Sequence, residues 1–237
     1  MKNLELHKKL TIFYAFIISI YEVADKLFGA GFIVLMSIKG LSAFEISVVV
    51  SITSLAMAIF DYPSGNISDI YGRKKITAYG LIIWGMGLIL FAYSSSILSF
   101  IFTSTIRALG VSLITGSPQA WYVDELKKLD LIKYKNHAMP KVRGIGLLFS
   151  ILGAALASRL LKVNNSIPLV VGGIIVIVGG ILVRFLFDEN YGSYTQKNLL
   201  SEVTKSTKEF FHHKPMVYIL GVKIMSQIGF LIIILSW

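Results

Sequence analysis

Apolar stretches long enough to cross a lipid bilayer recur along nearly the whole chain, and this excludes a water-soluble fold. Seven are readable, at roughly 10–36, 45–62, 76–94, 97–122, 142–161, 167–187 and 215–237. About 20 residues rising 1.5 Å each traverse the hydrocarbon core, so each stretch is predicted to be a membrane-spanning helix. The predicted fold class is therefore all-α and polytopic. Composition agrees: 55% of residues are hydrophobic and 15% charged, where soluble domains have nearer 45–50% and 25%. The first stretch follows Lys8 and Lys9 and imitates a secretory signal. It is too long for one, carries Glu22, Asp25 and Lys26, and precedes no small-residue cleavage site, so an uncleaved first helix is expected.

A formal charge of +10 raises nucleic acid as a partner, and its distribution removes it. Seventeen lysines and arginines fall at the N-terminus, in 73–75, in 127–143 and in 184–214, while the alternate loops hold three, Lys39, Arg159 and Lys162. Basic residues concentrate on the cytoplasmic side of membrane proteins. The charge is thus topological, at an anionic leaflet, and no nucleic acid is expected. The expectation is a multi-pass protein of the cell membrane with a cytoplasmic N-terminus and the lipid bilayer as its surroundings. There is no cysteine, hence no disulfide. His212-His213-Lys214 is not framed by other ligands and reads as a solvated loop rather than a metal site. Nucleotide loops, nucleophile triads and metal motifs are not found, so neither an enzyme nor a cofactor is expected.

Between the second and third stretches lies Gly65-Asn66-Ile67-Ser68-Asp69-Ile70-Tyr71-Gly72-Arg73-Lys74-Lys75. Glycines, an acid and a basic cluster here read as a tight charged turn between two antiparallel spans. The run resembles the G-x-x-x-D-x-x-G-R-K-x signature of the major facilitator superfamily of secondary transporters, which also follows the second helix. The resemblance implies a six-helix half built from two inverted three-helix repeats. On that reading residues 1–187 are the six-helix bundle, 188–214 a cytoplasmic central loop with some helical content, and 215–237 a seventh helix that opens an incomplete second half. Members usually carry twelve helices, so the sequence is expected to be truncated after helix 7, with the missing C-terminal half or a second chain as partner.

The same resemblance implies alternating-access transport of a small-molecule substrate, coupled to protons or another ion, as drug efflux or as a metabolite permease. It makes Gly65, Asp69, Gly72, Arg73 and Asp124 a gating set whose charges latch two halves together, with Asp61 at the same face. The alternative, from the absent half, is a non-transporting fragment or a membrane assembly partner.

The first helix carries the most informative residues. A charge in mid-membrane costs a few kcal/mol and normally faces a bundle interior or a watery cavity. At 100° per residue, Ala15, Ser19, Glu22, Lys26 and Gly29 share a narrow face with Asp25 at its edge. Such a stripe of small and polar residues is expected to line a cavity. Glu22 and Lys26, spaced i, i+4, can pair on one helix, which would leave Asp25 without a partner. The fourth stretch supplies Arg107. Its Ile106-Arg107-Ala108-Leu109-Gly110 resembles the R-x-x-x-G-type motif of the superfamily, with the glycine one residue early. An arginine there stays charged and can bias a neighbouring acid. Glu22, Asp25, Lys26 and Arg107 are the predicted substrate or proton-coupling residues. The fifth helix has Gly153-Ala154-Ala155 where proton antiporters of the family show a Gly-Pro pair, a departure from the antiporter pattern.

Overall fold

The computed structural model describes residues 2–186 and 188–192, with scattered positions between 212 and 229. Eight helices follow in order: α1 (Lys2–Gly29), α2 (Phe32–Ile38), α3 (Ala43–Tyr71), α4 (Arg73–Ala92), α5 (Ile97–Ile114), α6 (Ser117–Lys128), α7 (Lys135–Leu161) and α8 (Ile167–Leu186). A 3₁₀ turn, Ile132–Tyr134, precedes α7, and the described residues contain no strand. They make six passes, with α1 and α2 forming the first and α5 and α6 the fourth. Most of the expected seventh helix, 215–237, and the central loop beyond residue 192 lie outside the described residues.

Five stretches, Ala43–Asp61, Arg73–Ala92, Ile97–Lys128, Ile132–Leu161 and Ile167–Leu186, are long and apolar enough to span a membrane. α1 is long enough too, and it is set apart by charge: Glu22, Asp25 and Lys26 all fall inside its apolar part.

α4 is the packing centre, flanked by α8 and α5, while α1 packs on α7 and α8, and α3 on α5. Trp84, Leu81, Leu88 and Phe91 of α4 and Phe100 of α5 are fully buried. With lipid as apolar as leucine, tight helix association needs close backbone approach rather than hydrophobic exclusion. The contact of α4 with α8 shows it. A Cβ on Gly85 would lie 2.5 Å from the Gly173 carbonyl oxygen, and one on Gly173 would lie 2.7 Å from that of Gly85. Outward faces expose Phe102, Leu147, Ile151 and Phe185, which suits hydrocarbon and would not suit water.

Three expectations about the chain path are corrected. The signature run is not a turn over its length: α3 continues through it to Tyr71, and only Gly72 leaves the helix, with φ +104°. Serine hydroxyls in this polar stretch are satisfied within the helix, Ser64 donating to the Asp61 carbonyl at 2.7 Å and Ser68 to that of Gly65 at 2.8 Å. The first span is not one helix over 10–36. It breaks at Ala30–Gly31, and α2 starts afresh from a bond of Leu35 N–H to the Gly31 carbonyl at 2.8 Å. The fourth span breaks at Thr115–Gly116, where Gly116 has φ +85° and Pro118 opens α6. Proline fits the first turn of a helix, whose N–H groups need no helical partner.

Candidate functional site

Two charged clusters occupy different depths. The first borders a cavity of about 580 Å³ between α1, α2, α3, α5 and α7. Asp25 and Lys26 of α1 and Arg107 of α5 supply its charge, and Tyr21, Phe28, Phe32, Met36 and Met57 much of its apolar wall. Lys26 Nζ donates to Asp25 Oδ2 at 3.0 Å, and both side chains are about 40% exposed, so they point into open space. The ion pair therefore forms between adjacent residues, and the expected Glu22–Lys26 pair is replaced by it. A shorter aspartate next to the lysine reaches the ammonium without closing a helical turn. Glu22 is outside the cavity wall. Its Cγ lies 3.5 Å from where a Cβ on Gly146 of α7 would stand, so it leans on the neighbouring helix. Ala15 and Ser19 are buried among packed helices. The polar stripe of α1 thus splits, with Asp25, Lys26 and Gly29 at the cavity and the rest in helix contacts.

Arg107 is held from behind. Its guanidinium carbon lies 4.2 Å from the centre of the Phe28 ring, a cation–π distance. Phe28 is itself stacked on Phe32 at 4.7 Å and meets Phe91 edge-on at 5.6 Å. Gly87 lets the backbone of Arg107 approach α4: a Cβ there would lie 2.7 Å from Arg107 N. Arg107 Nε is enclosed and has no hydrogen-bond partner among the described residues. None of the ion pairs among those residues includes Arg107.

The second cluster surrounds Gly72. Asp69 lies twelve residues past Met57 on α3, about 18 Å at 1.5 Å per residue. Arg73 is 7% exposed. Its Nε donates to Asp69 Oδ1 at 2.8 Å, and its Nη1 to the Ala120 carbonyl at 3.0 Å and to Asp124 Oδ2. Lys127 Nζ reaches the other Asp124 oxygen at 3.2 Å. The predicted Asp69, Gly72, Arg73 and Asp124 are therefore brought together. Gly65 is exposed on α3 with open space where a Cβ would be, and is not part of the cluster. Asp61 also stays apart, with Oδ1 enclosed and unbonded among the described residues.

The segment 188–192 completes this cluster. Rather than running free as a solvated linker, it folds back over the α3–α4 turn. Lys74 N–H donates to Glu189 Oε1 at 2.8 Å and Arg73 N–H to the Asn190 carbonyl at 3.0 Å, so this segment caps the N-terminus of α4. An anion at that position also meets the positive end of the helix dipole. Asn190 Nδ2 donates to the Trp121 carbonyl and to Glu125 Oε1, both at 3.0 Å. Trp121 Nε1 donates to the Asp188 carbonyl at 2.9 Å, and Gly192 N–H to that of Asp69 at 3.0 Å. Gly72 is needed twice over. Its φ of +104° disfavours a side chain, and a Cβ would meet the Glu189 carboxylate at 2.6 to 2.9 Å. Glu189 and Asn190 escape sequence reasoning, because a docked loop has no periodicity. The one available signal is that Gly72 offers α4 no capping side chain.

Comparison with known proteins fits this arrangement. The sequence pattern of the Major Facilitator Superfamily matches residues 14–237. An uncharacterized MFS-type transporter of Methanocaldococcus jannaschii, MJ1317, is 27% identical over 135 residues, covering 54% of this chain and 31% of its own. An uncharacterized transporter of Buchnera aphidicola subsp. Schizaphis graminum is 31% identical over 96 residues, covering 40% of this chain and 24% of its own. The chain thus spans less than a third of either relative. The crystal structure of the nucleoside transporter NupG superimposes with a TM-score of 0.63 at 13% identity, covering 90% of this chain and 52% of that one. At that identity the likeness concerns the fold alone. A half-length all-helical bundle, a glycine-hinged charge cluster after the second span and a pattern match over nearly the whole sequence agree: the chain belongs to the major facilitator superfamily, a family of membrane transporters and not of enzymes.

Proposed function

We propose that this chain is the N-terminal half of a secondary active transporter that moves a small solute by alternating access, with proton coupling through Asp25. The observation that carries the reading is a cavity inside the membrane-spanning bundle that bears Asp25, Lys26 and Arg107. Charges at that depth are retained where they act on a solute or an ion. Asp25 has Lys26 in contact and borders the cavity together with Tyr21 and with Arg107 of the facing helix, so a solute or ion that enters meets it directly. Glu22 is the secondary candidate, because it stands against α7. The loop-end cluster of Asp69, Arg73 and Asp124 acts as the gating latch, made in one state and released in another. Positive-inside asymmetry supports a cytoplasmic position for that cluster and a cell-membrane location.

A thiol at Ser54, which lines the cavity, tests this in the intact protein with Ser54→Cys as its single cysteine. Alternating access predicts alkylation by an impermeant reagent from both faces, in right-side-out and in everted vesicles. The ratio of the two rates should shift with pH, and Asp25→Asn should remove that shift. Reactivity from one face only overturns the transport reading.

A further inference from the structure

The charges that border the cavity do not cancel. Asp25 is engaged by Lys26 at 3.0 Å, so that pair contributes no net charge, and Arg107 remains. Its Nε is enclosed without a hydrogen bond, and the ion pairs among the described residues leave it out. Asp25 also acts on Arg107 at longer range, and Glu22 and Asp61 stand nearby outside the wall, so one bordering carboxylate serves two cations while guanidinium keeps its charge throughout. What Arg107 lacks is a direct partner, and an incoming anion supplies one.

The surroundings specify its shape. The Phe28 ring lies 4.2 Å from the guanidinium carbon and Nε is enclosed, which leaves the terminal nitrogens as the donors for a ligand. A planar fork of parallel N–H donors matches the two oxygens of a carboxylate. Beyond the arginine the wall is mainly apolar, with Phe32, Met36, Val49 and Met57, and its neutral polar side chains include Thr53, Ser54 and Ser104. A volume of about 580 Å³ lies in the range of small-molecule sites. A second anionic group would find no second free cation among the described residues bordering the cavity, since Lys26 already has Asp25.

We propose that the cavity selects a small organic monoanion, one carboxylate on an apolar body, seated on Arg107. This rests on the transporter reading above and adds the class of its substrate.

Three probes that share an apolar body test it: 4-phenylbutyrate, its amide, and 4-phenylbutylamine. Each is assayed for protection of Ser54→Cys against alkylation in the intact protein. The expected result is half-protection by the carboxylate at a concentration at least tenfold below that of amide or amine. Arg107→Gln should abolish the preference while the cysteine stays reactive, and Arg107→Lys should retain part of it, because charge survives without the fork. Stronger protection by the amine, no protection by millimolar carboxylate with the thiol still reactive, or an unchanged carboxylate preference in Arg107→Gln overturns the proposal. That last set of results leaves two-sided labelling intact. A thiol reached from one face only overturns the transport reading and this inference together, so the two failures are distinct.

Discussion

Arg73 and Arg107 lie in the same bundle and are treated in opposite ways. Arg73 has Asp69, Asp124 and the Ala120 carbonyl around its guanidinium. Arg107 has an aromatic ring on one face, an unbonded Nε and no ion pair among the described residues. A saturated buried charge is part of the scaffold, since removing it strands its partners. An unsaturated one contributes little to the scaffold and keeps its interactions for something that arrives. On the transport proposal above, the contrast separates a residue that holds the bundle together from one that serves a solute.

The sharpest way to break the comparison is Arg73→Ala. Two carboxylates and a carbonyl would lose their cation, and breaking a buried pair this way costs about 3–5 kcal/mol. Expression should fall, and melting of the detergent-solubilised protein should drop by many degrees. Melting at the parent temperature would show that the cluster is ornamental.

Gly72→Ala comes next. A backbone at φ +104° and ψ +125° is one L side chains rarely adopt and costs an ordinary residue about 1–3 kcal/mol, and the new methyl would also displace the Glu189 carboxylate from Lys74 N–H. The melting temperature should fall by less than in Arg73→Ala. Glu189→Ala should show only the capping part of the loss, about 1 kcal/mol, and an equal loss in the two variants would place the whole effect in the cap.

Asp69→Asn removes charge and keeps shape. A helix-end or surface role would make it mild, under about 1 kcal/mol. A latch predicts near-normal folding with altered sidedness of Ser54→Cys labelling, because contacts made in one state alone set the balance of states. Identical labelling in variant and parent would reduce Asp69 to a structural acid.

The smallest destabilisation belongs to Arg107→Leu. Replacing buried ionic groups by apolar side chains is often neutral or stabilising. Melting should hold or rise, by up to about 1–4 kcal/mol in equivalent, while protection by the carboxylate probe disappears. A loss as large as that of Arg73→Ala would erase the distinction between the two arginines.

Sequence reasoning reached one of these regions more fully than the other. Asp69, Gly72 and Arg73 stand within five residues of each other in a motif that resembles the family signature, and Asp124 follows the distinctive Ser-Pro-Gln-Ala-Trp-Tyr run. The cavity charges were legible from helical periodicity, because Asp25, Lys26 and Arg107 interrupt apolar helices. The choice of ion pair was not. Which of two acids meets Lys26 depends on rotamers and on α7 beside Glu22, and neither is written in spacing. The breaks at Gly31 and Gly116 were available in principle, since glycine with a nearby proline marks the second. Long apolar runs overrode those local signals. Glu189 and Asn190 were hidden because polar residues after a membrane helix look alike whether docked or solvated.

The fold-back of residues 188–192 has a consequence in time. Synthesis proceeds from the N-terminus, so all eight helices are made before Asp188 leaves the ribosome. Until then α4 lacks its cap and the ends of α3 and α6 lack the strap that crosses them. Helices α1–α8 are therefore inserted first and fastened afterwards, by the residues that follow α8. A fragment cut at 187 would possess α1–α8 without the fastening, and one cut at 192 would possess both. Five residues decide whether this half of the molecule can be handled as a separable part.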